Sequence, residues 1–139
     1  MQDDVRIGEQ ELNVVSEAID TIGKAISRVF VGKERVVRLL LTGFVSGLHV
    51  LIEDVPGVGK TTLARSLSAS LGLDFSRIQF TPDLLPGDIV GMNVWNQIRN
   101  EFVFKNGAIM HQFILADEIN RASPRTQSSL LEAMQEGSV

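Results

Sequence analysis

The chain is 139 residues long, 44% hydrophobic, and carries 13 Lys and Arg against 17 Asp and Glu for a formal charge of −4, a balance suited to one folded domain or a piece of one rather than to a disordered segment. The two signs are mixed and no basic block is present to follow a phosphate backbone, so nucleic acid is not the expected partner. With no cysteine, a disulfide framework and a thiolate metal site are both excluded; the acidic start Met1-Gln2-Asp3-Asp4 and the charge of Arg38 within Val36 to Leu41 argue against a signal peptide and against membrane insertion, and a cytoplasmic protein is expected.

From Leu12 onward, apolar residues recur at Val15, Ile19, Ile22, Ile26 and Val29, a three-four spacing that predicts a helix packed along one face. The stripe is too short for a free-standing coiled coil and is expected to pack on its own domain or on a neighbouring subunit. A second helix is predicted from about Lys33 to Ser46, with Val36, Val37, Leu40 and Phe44 inward and Gly47 ending it. His49 to Glu53 then reads as the first strand, followed by a glycine turn and a helix over Lys60 to Leu71 that stops at Gly72. A further strand is expected at Phe75 to Phe80, and Thr81 to Asp88, with two prolines and a Pro-Gly step, reads as turn. Apolar residues alternate at Asn93 to Trp95 and at Glu101 to Phe104 around polar Gln97 to Asn100, predicting a β-hairpin. Phe113-Ile114-Leu115-Ala116 is a continuous apolar run, as in a strand buried on both faces. A final helix is expected to start at Ser123, an N-cap before Pro124, with Gln127, Leu130, Leu131 and Met134 inward before Gly137.

Chemistry concentrates at two places. In Asp54-Val55-Pro56-Gly57-Val58-Gly59-Lys60-Thr61 the spacing is that of a P-loop whose first glycine is replaced by Asp54. Gly57 and Gly59 can adopt backbone conformations closed to residues with a Cβ, so that consecutive N–H groups converge on a phosphate at the positive end of the helix opening at Lys60. Lys60 is the candidate to neutralise the terminal phosphates of ATP, and the Thr61 hydroxyl the candidate ligand for Mg²⁺, a cation that keeps few protein oxygens. The second place is Asp117-Glu118, where two adjacent carboxylates at the end of a buried strand are costly without a cation or hydrogen bonds. Neighbouring strand residues point to opposite sides, which lets Asp117 face the metal while Glu118 polarises the attacking water as general base.

Taken together, Leu51 to Thr62, Gln79 to Asp88, Leu115 to Ala122, and Gln127 to Glu136 resemble the MoxR family of AAA+ ATPases over nearly the whole chain. The family shares Asp54 in its P-loop, whereas Gly87 stands where serine is more usual. The resemblance implies a P-loop NTPase fold of AAA+ type, a three-layer αβα sandwich around a parallel sheet, with 1–139 as the N-terminal portion of one core domain, 1–47 supplying N-terminal helices and 48–139 running from the P-loop through the carboxylate helix. It further implies that Asp54, Pro56, Val58 and Thr62 share the nucleotide loop, that Val31 and Gly32 contact the adenine side unless they form a plain helix-helix turn, and that the hairpin is the insertion in the second helix marking the larger clade. Implied partners are a hexameric ring of identical chains, a protein client, and a protein with a von Willebrand factor A domain, in the service of complex maturation or metal cofactor insertion. Asn120 and Arg121, just past the carboxylates, are open between facing a neighbouring subunit and serving as turn cap and solvated charge.

In the AAA+ strand order 5-1-4-3-2 the strand at His49 neighbours the fourth and fifth strands, and the fourth separates it from the strand at Phe113. These residues alone would leave strand edges unpaired, so the chain is expected to be incomplete at the C-terminus and to hydrolyse ATP poorly alone, lacking sensor, arginine finger and lid. Competing readings are another hairpin-bearing AAA+ ATPase such as a chelatase-type subunit or a nucleic-acid motor, an interaction module that binds nucleotide without turnover, and a small-molecule kinase. The charge balance speaks against the motor.

Overall fold

The computed structural model describes residues 8–30, 32–53, 57 and 59–136, which divide between Leu71 and Gly72 into two units. In the first, α1 (Glu9–Val29), α2 (Glu34–Val45) and α3 (Lys60–Leu71) follow one another. The Glu11 carboxylate accepts a hydrogen bond from the Gly8 N–H at 3.1 Å and closes the first turn of α1, while Arg28 in the last turn faces the negative end of the helix. The predicted apolar stripe is buried only towards that end: Ile26 is fully buried, Ile19 and Ile22 half so, and Leu12, Val15 and Val29 stay exposed. Gly23 faces α2, where an added Cβ would lie 3.6 Å from Leu41 Cδ1.

In α2 the buried positions are Val37, Leu40, Leu41 and Gly43. Phe44, expected inward, is exposed, because the inner position next to it belongs to Gly43, over which Val50 closes so tightly that a Cβ would sit 2.5 Å from Val50 Cγ2. Gly47 ends the helix as expected, with φ +65°, and the Leu48 N–H turns back to the Gly43 carbonyl at 2.8 Å. Helix α3 buries Leu63, Ala64, Leu67 and Ser68.

The strand expected at His49 to Glu53 does not form. A strand exists through its ladder, and the two sheets among the described residues are made by other segments. Leu48, Val50 and Leu51 remain substantially exposed, so the run has the composition of a sheet interior without the pairing that would make it one.

In the second unit, β1 (Phe75–Gln79) and β4 (Phe113–Asp117) pair in parallel, Phe75 opposite Phe113 and Gln79 opposite Asp117. Strands β2 (Gly91–Asn96) and β3 (Glu101–Asn106) form the expected antiparallel hairpin, with Trp95 opposite Phe102. The core is Ile78, Phe80, Ile89, Ala122 and Leu130, with Ile114, Ala116 and Met134 packed around it; fully burying a side chain the size of Ile or Phe stabilises by about 1.5–3 kcal/mol. Strand β4 is half-buried along its length instead of buried on both faces. Its core side meets this cluster, and its other side shares a face with Arg77 and Gln79, whose polar heads keep contact with solvent.

Two further expectations are corrected. The stretch Thr81 to Asp88 is not all turn, since Pro86, with its φ preset, opens the short helix α4 (Pro86–Val90), and the Asp88 carboxylate accepts the Leu85 N–H at 3.0 Å. Helix α5 (Pro124–Glu136) is capped by Ser123 as expected, the Thr126 N–H reaching its Oγ at 3.3 Å, but Leu131 is 62% exposed and Thr126 is fully buried. The Thr126 hydroxyl donates to the Leu84 carbonyl at 2.8 Å, so its polarity is satisfied and the inward row becomes Thr126, Leu130 and Met134, four residues apart. At Gly87 an added Cβ would lie 2.5 Å from Met92 Cε; the methionine fills the space that a serine side chain would take. Among the described residues no helix is long and apolar enough to cross a membrane.

Candidate functional site

On the phosphate side the two glycines hold the conformations that sequence spacing called for, Gly57 at φ +85° and Gly59 at φ +83°. Around Gly57 an added Cβ would meet none of the described residues within 4 Å, so the requirement seen there is conformational; at Gly59 it would also stand 2.8 Å from Phe30 Cε2. Immediately after Gly59, α3 opens at Lys60, and the Leu63 N–H donates to the Gly59 carbonyl at 2.9 Å. Lys60, Thr61 and Thr62 make up the first turn of α3, the positive end of the helix, which favours an anion. Lys60 and Thr61 are half-buried and Thr62 is exposed.

Asp54, Pro56 and Val58 lie outside the described residues, as does Val31. Its neighbour Gly32 is exposed with φ +84°, in a turn between α1 and α2. Sequence reasoning passed over Phe30, whose ring lies on Gly59 and beneath Lys33, with Nζ 5.9 Å from the ring centroid. An aromatic at the end of an amphipathic helix carries no local signal that it will meet a glycine 29 positions later.

On the carboxylate side, β4 ends at Asp117, and the Asp117 carbonyl accepts the Phe80 N–H at 2.9 Å, which carries the parallel pairing one residue past β1. Glu118 then adopts φ +57°, ψ +40°, the left-handed region. For a residue with a Cβ this costs about 1–2 kcal/mol, and such strain gathers at functional positions. The other described non-glycine residue at positive φ is Asn100 in the hairpin turn, where asparagine is at home. Asp117 and Glu118 are therefore set apart by a left-handed break in the chain more than by strand alternation.

Both carboxylates already meet a guanidinium. Arg77 Nη2 stands 2.7 Å from Asp117 Oδ2, and Arg121 Nε stands 3.3 Å from Glu118 Oε2. Arg121, whose role was open on sequence, thus pairs within its own turn, the short 3₁₀ segment Ile119–Arg121, while Asn120 is exposed there. Gln127 of α5 donates Nε2 to the carbonyls of Ile119 and Ala122, at 3.1 and 3.0 Å, and so pins the turn that follows Glu118. In the nearby Thr81-Pro82-Asp83 turn, the Thr81 hydroxyl and then Asp83's own N–H hold the Asp83 carboxyl below its usual value.

The chemistry of these groups fits a magnesium nucleotide. Positive-φ glycines ahead of a twelve-residue helix suit a polyphosphate, and the Thr61 hydroxyl and Asp117 carboxylate are hard oxygen donors of the kind Mg²⁺ takes in ones and twos. A glycine turn feeding a helix, with a parallel strand ending in acidic residues, defines the P-loop class of nucleotide-binding proteins. The family model for ATPases associated with various cellular activities matches residues 49–139, and the chain belongs to this AAA family, in its MoxR branch.

Among its relatives, YeaC of Bacillus subtilis is 56% identical over 121 residues, which are 85% of this chain and 38% of that protein. Chaperone MoxR1 of Mycobacterium tuberculosis is 47% identical over 121 residues, 85% of this chain and 32% of that one. A crystal structure of a candidate ATPase from Cytophaga hutchinsonii superposes with a TM-score of 0.79 at 42% identity, covering 92% of this chain and 39% of the other. The expected α/β fold with a parallel sheet is thereby established, and the chain spans about a third to two fifths of the length of the relatives it matches.

Proposed function

We propose that this chain is the nucleotide-binding portion of a MoxR-type AAA+ ATPase that couples ATP hydrolysis to the remodelling or maturation of a protein complex, metal cofactor insertion included. In this reading Asp54 to Thr62 form the nucleotide loop, Lys60 neutralises the terminal phosphates, Thr61 and Asp117 hold Mg²⁺, and Glu118 orients and deprotonates the attacking water. Val31 and Gly32 border the adenine. Bound magnesium would supply charge neutralisation at the reacting phosphate; what the chain adds is amide donors that need no rearrangement and a carboxylate fixed by a strained turn. The observation that carries the reading is the glycine pair at φ +85° and +83° directly ahead of the helix that begins with Lys60 and Thr61.

The working assembly is proposed to be a cytoplasmic hexameric ring, joined by a client protein and a partner with a von Willebrand factor A domain. Ring ATPases of this kind complete their sites across subunits, so turnover is expected to rise with assembly. The central experiment is Glu118→Gln in the complete gene product, read as nucleotide binding, assembly and turnover. ATP retained with assembly strengthened and turnover lost supports the ATPase. Unchanged turnover contradicts it and favours a nucleotide-binding interaction module.

A further inference from the structure

Arg77 and Gln79 lie on the face of the parallel pair that carries Asp117, two residues apart on β1, with Gln79 directly opposite Asp117. One guanidinium nitrogen serves both: Arg77 Nη2 donates to Asp117 Oδ2 at 2.7 Å and to Gln79 Oε1 at 2.6 Å. These are short, charge-assisted contacts. The arginine side chain is 41% exposed and that of Asp117 29%, so the guanidinium has room to move while the carboxylate is held by the strand. Arg77 is thus a cation, supplied by the same sheet, already seated on the carboxylate to which the proposed function gives a metal.

We propose that Arg77 is a placeholder cation for Asp117, which it releases when the carboxylate takes up magnesium, with Gln79 Oε1 as the acceptor on which the guanidinium parks; this rests on the reading of Asp117 as a metal ligand. Two cations cannot share one carboxylate oxygen without strong repulsion. Arg77 must therefore leave Oδ2 before that oxygen serves a metal, and the cost of parting the pair is added to every loading event. The arginine acts through Asp117, as a positioning residue that sets the magnesium concentration at which the site fills. It also keeps the carboxylate from standing uncompensated in the meantime.

The test uses the complete gene product and a fluorescent ATP analogue, with affinity measured in EDTA and across a magnesium titration. Arg77→Met is expected to lower the magnesium concentration for half-maximal tightening by about two- to fivefold, the range expected for a part-exposed ion pair, and to leave affinity in EDTA unchanged. Arg77→Lys, which keeps the charge, is expected to stay near wild type. Should thermal melting show that Arg77→Met has lost its fold, Arg77→Gln is read in its place. A magnesium requirement that is unchanged or raised overturns the proposal, as does an equal change with and without the metal, which would mark a merely structural role. Asp117→Asn separates the two levels: if it abolishes the magnesium response while Arg77→Met leaves the wild-type response intact, only the placeholder role fails, whereas a normal response in Asp117→Asn removes the metal-ligand reading and the placeholder with it.

Discussion

The phosphate loop and the carboxylate turn solve opposite problems with opposite means. Around Gly57 and Gly59 the work falls to the backbone, which needs residues without a Cβ to reach φ +85° and +83°. At Glu118 the chain enters the same left-handed region with a full side chain, to which the proposed function gives the attacking water. The glycine side is therefore relaxed where it is strange, and the carboxylate side is strained where the proposed function puts the general base. Charge follows the same division. The glycine turn leads to the positive end of a helix, while Asp117 and Glu118 each meet an arginine of their own unit, Arg77 and Arg121.

This contrast can be broken at both ends. The largest effect is expected from Glu118→Gln, with turnover down by about 10²–10⁴-fold, the usual contribution of a general base, and nucleotide binding retained in a filter or fluorescence assay. Gly59→Ala should follow. A methyl group there meets both an unfavourable φ, worth about 1–2 kcal/mol, and the Phe30 ring, so thermal melting should fall and nucleotide affinity should fall with it. Glu118→Gly gives the smallest change in stability and the sharpest one, because its sign is reversed: removing the Cβ relieves the left-handed strain and should raise stability by about 0.5–1 kcal/mol in denaturant melts, with turnover lost as in Glu118→Gln. Melting shifts of the same sign in Gly59→Ala and Glu118→Gly would erase the distinction between the two regions.

What the sequence made legible was whatever depends on short spacing. Gly57, Gly59 and the helix start at Lys60, the Ser123 cap ahead of Pro124, and the hairpin around Gln97 to Asn100 are each set by residues within a few positions of one another. Pairing across the chain was harder. His49 to Glu53 has the β-branched, apolar composition of a strand, yet a ladder needs a partner, and composition does not say whether one is present. Leu131 looked inward because it is apolar; Thr126 took that place because Leu84, 42 residues away, offers a carbonyl for its hydroxyl. Arg77 was missed for the same reason. Its meaning lies in a register that puts Gln79 opposite Asp117, although polar residues at Arg77 and Gln79 alternating with Ile78 were a visible sign that one face of that strand is not core.

The most direct trial of the central claim is a double-mutant cycle with Thr61→Ala and Asp117→Asn, read as the magnesium dependence of ATP-analogue binding to the complete gene product. If one metal ion joins the two side chains, each change raises the magnesium requirement and the double variant is little worse than the more damaged single, a coupling of more than about 0.5 kcal/mol. Strictly additive effects, or a normal magnesium response in either single variant, would show that the two residues do not serve one ion.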